Sequence, residues 1–191
     1  MAFDQKSLVI LNALYPDIKT RAIRFEQDVL KVLNLQIRIT EGYRSQERQA
    51  KLYDIGRNPA DKSKIVTNAK PGESVHNYAL AFDLCINGPD PYLSKYPKKQ
   101  FDETWRKIGE TGIQNGFKWG YDWNGNGLVD GNDFDRPHFE LTYGERVCDL
   151  RELYNHNGLV AVFARMDQRR GVTVAQNWND LTIKAALLSL N

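Results

Sequence analysis

Apolar residues in the first part of the chain recur at the spacing of an α-helix. From Leu8 to Val32 they stand three or four positions apart, with an interruption at Tyr15-Pro16-Asp17. Residues at this spacing lie on one face of a helix, and a break of this kind separates one helix from the next. We therefore predict two helices before residue 35.

The pattern then changes to alternation. Residues 35–40 alternate apolar and polar side chains, which is typical of a half-buried strand. Ser45 is a suitable N-cap for a helix that the pattern predicts over residues 46–55. Residues 56–74 show neither period, so we expect a loop there.

A second strand is predicted over residues 79–86, which are apolar except for Asp83. A segment of this kind indicates a central strand covered on both faces. A helix around residues 103–115 and a short strand over residues 138–141 follow, with a segment rich in glycine and asparagine between them.

After residue 144 the pattern is helical to the end, with breaks at Gly158 and Gly171. The apolar positions there are too few for an independent core. We therefore predict an α+β fold in which residues 1–144 form one domain with a small antiparallel sheet flanked by helices. Residues 145–191 are expected to be a helical extension packed on that domain.

Composition narrows the classes of protein. The chain has 191 residues, 41% apolar and 26% charged, which is the balance of a folded domain. Its net charge of +2 is too small to predict a nucleic-acid surface. No apolar run is long enough for a membrane span, and the N-terminus has no signal-peptide pattern. We expect no membrane insertion, a monomer, and a cytoplasmic location at synthesis.

Two of the three histidines, His76 and His138, stand close in sequence to carboxylates. Asp83 in an apolar strand would cost several kcal/mol unless it is paired or bound to a metal. On a strand it shares a face with Ala81 and Cys85, which leave room above the carboxylate. Two imidazoles and one carboxylate form a known catalytic zinc set. Alternatively, His76 caps a loop, His138 is a surface residue, and Asp83 pairs with a distant lysine or arginine.

The motifs Ser74-x-His76-x4-Ala81-x-Asp83 and Asp135-x-x-His138 resemble those of the M15 zinc peptidases. This family includes D-Ala-D-Ala carboxypeptidases and the L-alanyl-D-glutamate endolysins of phages. Residues 39–45 and 64–74, together with Gln49, Leu52-Tyr53 and Gly56-Arg57, resemble the endolysin branch. The resemblance covers about residues 20 to 141.

The resemblance implies that His76, Asp83 and His138 hold zinc and that Asp135 is the general base. It also places Arg44 near the substrate carbonyl, as a catalytic and substrate-binding cation, and the alternative is a surface arginine paired with a nearby glutamate. Ser74 is a candidate to bind substrate or to orient a ligand.

The chain departs from the family pattern at two positions. Many relatives have glutamate at position 135, which leaves Glu140 as a rival for the base. Ala79 stands where glycine is usual, which we interpret as a small steric change in a turn.

A second metal-like motif covers residues 122–133. Its oxygen donors match the spacing of an EF-hand calcium loop, with aspartate rather than glutamate at the last position. The alternative is a turn without an ion, because such turns need glycine and asparagine for backbone reasons alone. The predicted calcium ligands are Asp122, Asn124, Asn126, Leu128, Asp130 and Asp133.

The resemblance implies hydrolysis of the L-Ala-D-Glu bond in bacterial peptidoglycan by a phage endolysin that causes host lysis. Such an enzyme accumulates in the host cytoplasm and acts on the cell wall once a holin opens the membrane. Two alternatives stay open. One is a D,D-carboxypeptidase, and the other is a zinc-containing wall-binding module without catalysis.

Overall fold

A computed structural model of the chain describes residues 3–58, 61, 63–125, 135–172 and 183. It confirms the α+β class, with a four-stranded antiparallel sheet and α-helices. In chain order the elements are α1 (Gln5–Asn12), α2 (Pro16–Leu33), β1 (Ile37–Glu41), α3 (Gln46–Asp54), a 3-10 helix (Val75–Tyr78), β2 (Ala81–Ile86), α4 (Lys98–Gln114), β3 (Lys118–Trp119), β4 (His138–Glu140) and α5 (Val147–Arg169).

The two N-terminal helices are confirmed, and local chemistry sets their ends. The side chain of Asp4 accepts a hydrogen bond from the backbone N–H of Ser7 at 2.7 Å and so caps α1. Pro16 occupies the first turn of α2, where backbone N–H groups have no partner within the helix, so proline's lack of an N–H costs no hydrogen bond. Asn34 ends α2 in the left-handed conformation, with φ of 52°.

The sheet order is β1-β2-β4-β3, so β2 has a partner on each side, as the apolar run predicted. Phe82 pairs with Phe139 and Asp83 pairs with His138 between β2 and β4. The sequence did not predict β3, because two residues are too few to show a period. α4 begins at Lys98, five residues earlier than predicted, directly after Pro97.

The two faces of the sheet differ in chemistry. Phe82 and Phe139 point to the core, where their rings stack at 5.8 Å and Phe25 and Phe117 contact them. Side chains alternate across a strand, so Asp83 and its neighbours along the row lie on the opposite face. This alternation gives the polar residues a face of their own without disturbing the core.

The chain divides into two compact units, of which the first contains residues 1–42 and 81–141 and the second residues 43–80 and 142–191. Within the second unit, α5 packs against the 3-10 helix, and the rings of Tyr78 and Tyr154 meet edge to face at 5.8 Å. The predicted boundary at residue 144 between a domain and an extension stays a prediction.

The predicted helix break at Gly158 is confirmed in α5. Gly158 has φ of 55° and ψ of −148°, a conformation that is essentially restricted to glycine, and it kinks the helix. Gly171 has a positive φ just after the last turn. Among the residues that the structure describes, none of the helices combines the length and apolar character that a membrane span needs.

Candidate metal centre and its surroundings

The pairing of β2 with β4 sets Asp83 directly opposite His138. The Oδ1 atom of Asp83 lies 3.1 Å from Nδ1 of His138. The His138 side chain is 7% exposed and that of Asp83 is 22% exposed. His138 is therefore not the surface residue that one alternative assumed, and Asp83 is only partly buried rather than enclosed.

Glu140 lies on the other side of the same imidazole, with Oε2 at 3.1 Å from Nε2 of His138. Burial by itself lowers the pKa of the ring, but hydrogen bonds and attraction from Asp83 and Glu140 raise the pKa of His138 to about 10. The two carboxylates thus favour positive charge at the imidazole. A bound divalent cation would also be stabilised by them, and a histidine ligand with a carboxylate on its second nitrogen is common in metal sites.

His76 lies in the 3-10 helix and is 2% exposed. The turn ends at Ala79, which has φ of 58° in the left-handed region. A non-glycine residue pays roughly 1–2 kcal/mol in this conformation, which explains why glycine is usual here. The cost arises because the Cβ atom of Ala79 approaches the following carbonyl oxygen in this conformation, so the alanine is a small steric change in a turn.

His76, Asp83 and His138 make up the donor set that the resemblance named, and each offers one ligand atom suited to a metal ion. Two imidazoles and one carboxylate leave a position open on a tetrahedral ion, which is the composition of a catalytic zinc site rather than a structural one. The donor set therefore fits zinc.

Asp135 occupies the turn that leads into β4. Its N–H donates to the carbonyl of Gly120 at 3.1 Å, and its own carbonyl accepts from the N–H of His138 at 3.2 Å. The side chain is half-buried. The backbone of the predicted base is therefore fixed to β4 and to the end of β3.

Arg44 is 8% exposed, so it is not the surface arginine of the alternative reading. Its Nη1 donates to Oε1 of Gln49 at 2.9 Å, and Nε2 of the fully buried Gln49 donates to the carbonyl of Ala69 at 2.7 Å. The Arg44 backbone N–H donates to the carbonyl of His76 at 3.0 Å. These bonds fix both the guanidinium and the backbone of Arg44.

Asn77 completes this network. Its Nδ2 donates to the carbonyl of Arg44 at 2.8 Å, and its Oδ1 accepts from the N–H of Gly72 at 3.0 Å. The sequence analysis assigned no role to Asn77, and it named Gln49 only as part of the resemblance. The polar Asn77 between His76 and Tyr78 was the one sign in the sequence that could have indicated its role. Ser74 is nearly buried, and its carbonyl accepts from the N–H of Asn77 at 3.0 Å.

Of the predicted calcium ligands, the structure describes two. Asp122 is 5% exposed, and its carbonyl accepts from the N–H of Gly125 at 3.2 Å, while Asn124 is exposed. Asn126, Leu128, Asp130 and Asp133 lie outside the described residues. The calcium loop stays a prediction.

An aromatic groove of about 510 Å³ in the first unit has Pro137, the residue before His138, in its lining. Arg136 forms part of its wall, with its guanidinium 4.7 Å from the centre of the Phe101 ring. Grooves with apolar walls and a few polar groups are typical of ligand sites. The other lining residues are Tyr92, Leu93, Ser94, Tyr96, Lys98 and Trp105.

Comparison with known proteins gives three findings. The sequence profile of the VanY family, described as D-alanyl-D-alanine carboxypeptidase, matches residues 12–132. The chain is 35% identical over 136 residues to the peptidoglycan L-alanyl-D-glutamate endopeptidase CwlK of Bacillus subtilis (strain 168), covering 67% of this chain and 73% of that protein.

The third finding is a distant structural likeness to the L-Ala D-Glu endopeptidase ChiX of Serratia marcescens. The TM-score is 0.42 at 23% identity, covering 75% of this chain and 91% of the other, and it is too distant to inform function. The profile match spans well over half of the chain, and the identity to CwlK exceeds what chance resemblance gives. The chain therefore belongs to the VanY/M15 family of peptidoglycan peptidases.

Proposed function

We propose that this chain is a zinc-dependent peptidase that hydrolyses the L-Ala-D-Glu bond of peptidoglycan stem peptides. The observation that carries the proposal is the contact of Asp83 with His138 at 3.1 Å, in a chain of this family that also has the predicted ligand His76. The 35% identity to an L-alanyl-D-glutamate endopeptidase supports the choice of bond.

Zinc, when bound, supplies a Lewis acid at the scissile carbonyl and makes a neighbouring water more acidic. His76, Asp83 and His138 would hold it. Glu140 would accept a hydrogen bond from the ring nitrogen of His138 that does not face Asp83, and so fix the orientation of the imidazole.

Asp135 is the proposed general base. It accepts a proton from the attacking water, whose oxygen bonds to the carbonyl carbon of the scissile peptide. As the carbon–nitrogen bond breaks, the protonated carboxyl returns that proton to the leaving amine. The contact of Glu140 with His138 gives Glu140 a different task, which favours Asp135 over its rival.

Arg44 is proposed to stabilise the negative charge that develops on the substrate oxygen, or to bind a substrate carboxylate. The hydrogen bond to Gln49 and the backbone bond to His76 support this role, because a pre-oriented cation loses little entropy when substrate binds.

The decisive experiment is digestion of purified peptidoglycan, with the products identified by mass spectrometry and with chelator and zinc re-addition as controls. New N-terminal D-Glu ends support the proposal, and release of free D-alanine supports a D,D-carboxypeptidase, which the description of the matching profile favours. Binding to the wall without any product would identify a non-catalytic module.

We also propose that the protein acts as a phage endolysin that reaches the wall through a holin. The endolysin-like segments 39–45 and 64–74 support this role. Expression in a host with a sensitive wall should leave cells intact until a holin is co-expressed. Lysis without a holin, or intact cells with one, would contradict it. Size-exclusion chromatography tests the expected monomer.

A further inference from the structure

Gly120 follows β3 and lies opposite a proposed metal ligand. The β3–β4 register pairs Lys118 with Glu140 and Trp119 with Phe139, so the next pair is Gly120 with His138. The N–H of Gly120 donates to the carbonyl of His138 at 2.9 Å and so continues the ladder. Gly120 is buried.

A side chain at position 120 would enter the metal-ligand face. Cross-strand partners point to the same side of a sheet, so a side chain here would project beside that of His138. A Cβ atom on Gly120 would lie 2.9 Å from Cβ of His138, and 2.6 Å and 3.2 Å from the carbonyl oxygen and Cβ of Asp135. The two nearest atoms are the backbone oxygen of Asp135 and Cβ of His138. They can move only if the turn or the strand moves.

The backbone of Gly120 also holds Asp135, because its carbonyl accepts the N–H of Asp135 at 3.1 Å. One residue thus bonds to the proposed third zinc ligand through its N–H and to the proposed base through its carbonyl. The absence of a side chain lets both approach closely.

We propose that Gly120 is a positioning residue that sets the distance between the general base Asp135 and the metal ligand His138. This inference rests on the proposed function. The requirement is for close approach rather than for an unusual backbone conformation, since φ of Gly120 is not in the left-handed region. Alanine at this position should therefore separate the two residues while leaving the remaining sheet pairs in place.

The test compares Gly120→Ala with two control variants in the whole 191-residue chain. Gly88→Ala is the matched glycine control, because a Cβ atom there meets nothing within 4 Å. Ile18→Ala is the stability control, because it truncates a fully buried core residue on α2. Zinc affinity, the absorption of the cobalt(II) form, kcat, KM and the unfolding midpoint are measured for each.

Gly120→Ala should weaken zinc binding by about 10–100-fold, the range for loss of an outer partner of a metal ligand, and change the cobalt spectrum. kcat should fall while KM changes little. Gly88→Ala should match the parent, and Ile18→Ala should lower only the midpoint. Parental zinc affinity, cobalt spectrum and kcat in Gly120→Ala would overturn the inference, as would losses no larger than those of Ile18→Ala.

Hydrogen exchange of the unaltered protein tests the same inference without a substitution, which matters if Gly120→Ala does not fold. Removal of zinc should accelerate exchange at the amides of Gly120 and Asp135 more than at the amides of the β1–β2 ladder. Equal change at both places would contradict the inference. A parent that does not bind zinc would instead refute the proposed function, so the two failures are distinguishable.

Discussion

The proposed functional residues are held in different ways in the two compact units. In the first unit, Asp83 and His138 lie on paired strands, where the backbone ladder sets their spacing. In the second unit, Arg44 and His76 lie in a loop and a single turn of 3-10 helix. There the amide of Gln49 accepts a hydrogen bond from the Arg44 guanidinium, and the amide of Asn77 donates one to the Arg44 backbone carbonyl. The comparison teaches that a sheet site depends on strand spacing and a loop site on individual side chains.

The physical reason is the number of hydrogen bonds that position each functional residue. A ladder distributes positioning over many backbone hydrogen bonds, so the loss of one neighbouring side chain matters little unless it changes the spacing. In the loop, the side-chain amides of Gln49 and Asn77 are hydrogen-bond partners of individual groups rather than members of a ladder. Leaving such a group unpaired costs about 1–3 kcal/mol.

Removal of a proposed metal ligand should cause the largest loss of zinc and activity. The loss should be the same for a ligand of the first unit as for a ligand of the second. Asp83→Ala and His76→Ala should each lose bound zinc, as measured by metal analysis after dialysis. Hydrolysis of peptidoglycan should fall by more than about 100-fold, because loss of an outer partner of a ligand already costs about 10–100-fold. Either variant with full zinc content and activity would remove that residue from the site.

Replacing the base should separate metal binding from chemistry. Asp135→Asn should keep zinc but lose about 10²–10⁴-fold in kcat, because the amide cannot accept the proton. Glu140→Gln is the comparison, and it should lower zinc affinity more than it lowers the kcat of the zinc-saturated enzyme, because Glu140 contacts His138. The reverse ranking in kcat would transfer the base role to Glu140.

The loop unit should be sensitive to a single amide. Asn77→Leu leaves the N–H of Gly72 and the carbonyl of Arg44 without their partner, so unfolding free energy should fall by about 1–3 kcal/mol for each group. KM should also rise, because Arg44 loses its anchor. The exposed Asn87→Ala is the control, with a change within about 0.5 kcal/mol. A silent Asn77→Leu would show that the network does not position Arg44.

The smallest effect is expected from calcium. The calcium-loop hypothesis predicts that added calcium raises activity at constant zinc, because an ion at Asp122 and its neighbours would order the segment before Asp135. The double variant Asp122→Ala with Asp130→Ala should lose this response. A parent that is indifferent to calcium, with a fully active double variant, would reduce the segment to a turn.

Several elements could be predicted because their signals are local. The helical spacing of apolar residues and the break at Pro16 predicted α1 and α2, and the apolar run over residues 79–86 predicted a central strand. β3 could not be predicted, because a strand of two residues shows no period and exists only through pairing with β4. The early start of α4 was missed because residues 98–102 contain a single apolar side chain, Phe101, and so carry little periodic signal.

The sequence alone determined the donor chemistry of this protein, because residue types and short spacings are local: two histidines, a carboxylate in an apolar strand, and an aspartate three residues before His138. Only the tertiary structure decided how those groups are held. The pairing of Asp83 with His138, the amide bonds of Asn77 and the close approach of Gly120 to Asp135 all join residues through folding. Such contacts depend on register and packing over the whole chain, and no local spacing encodes them.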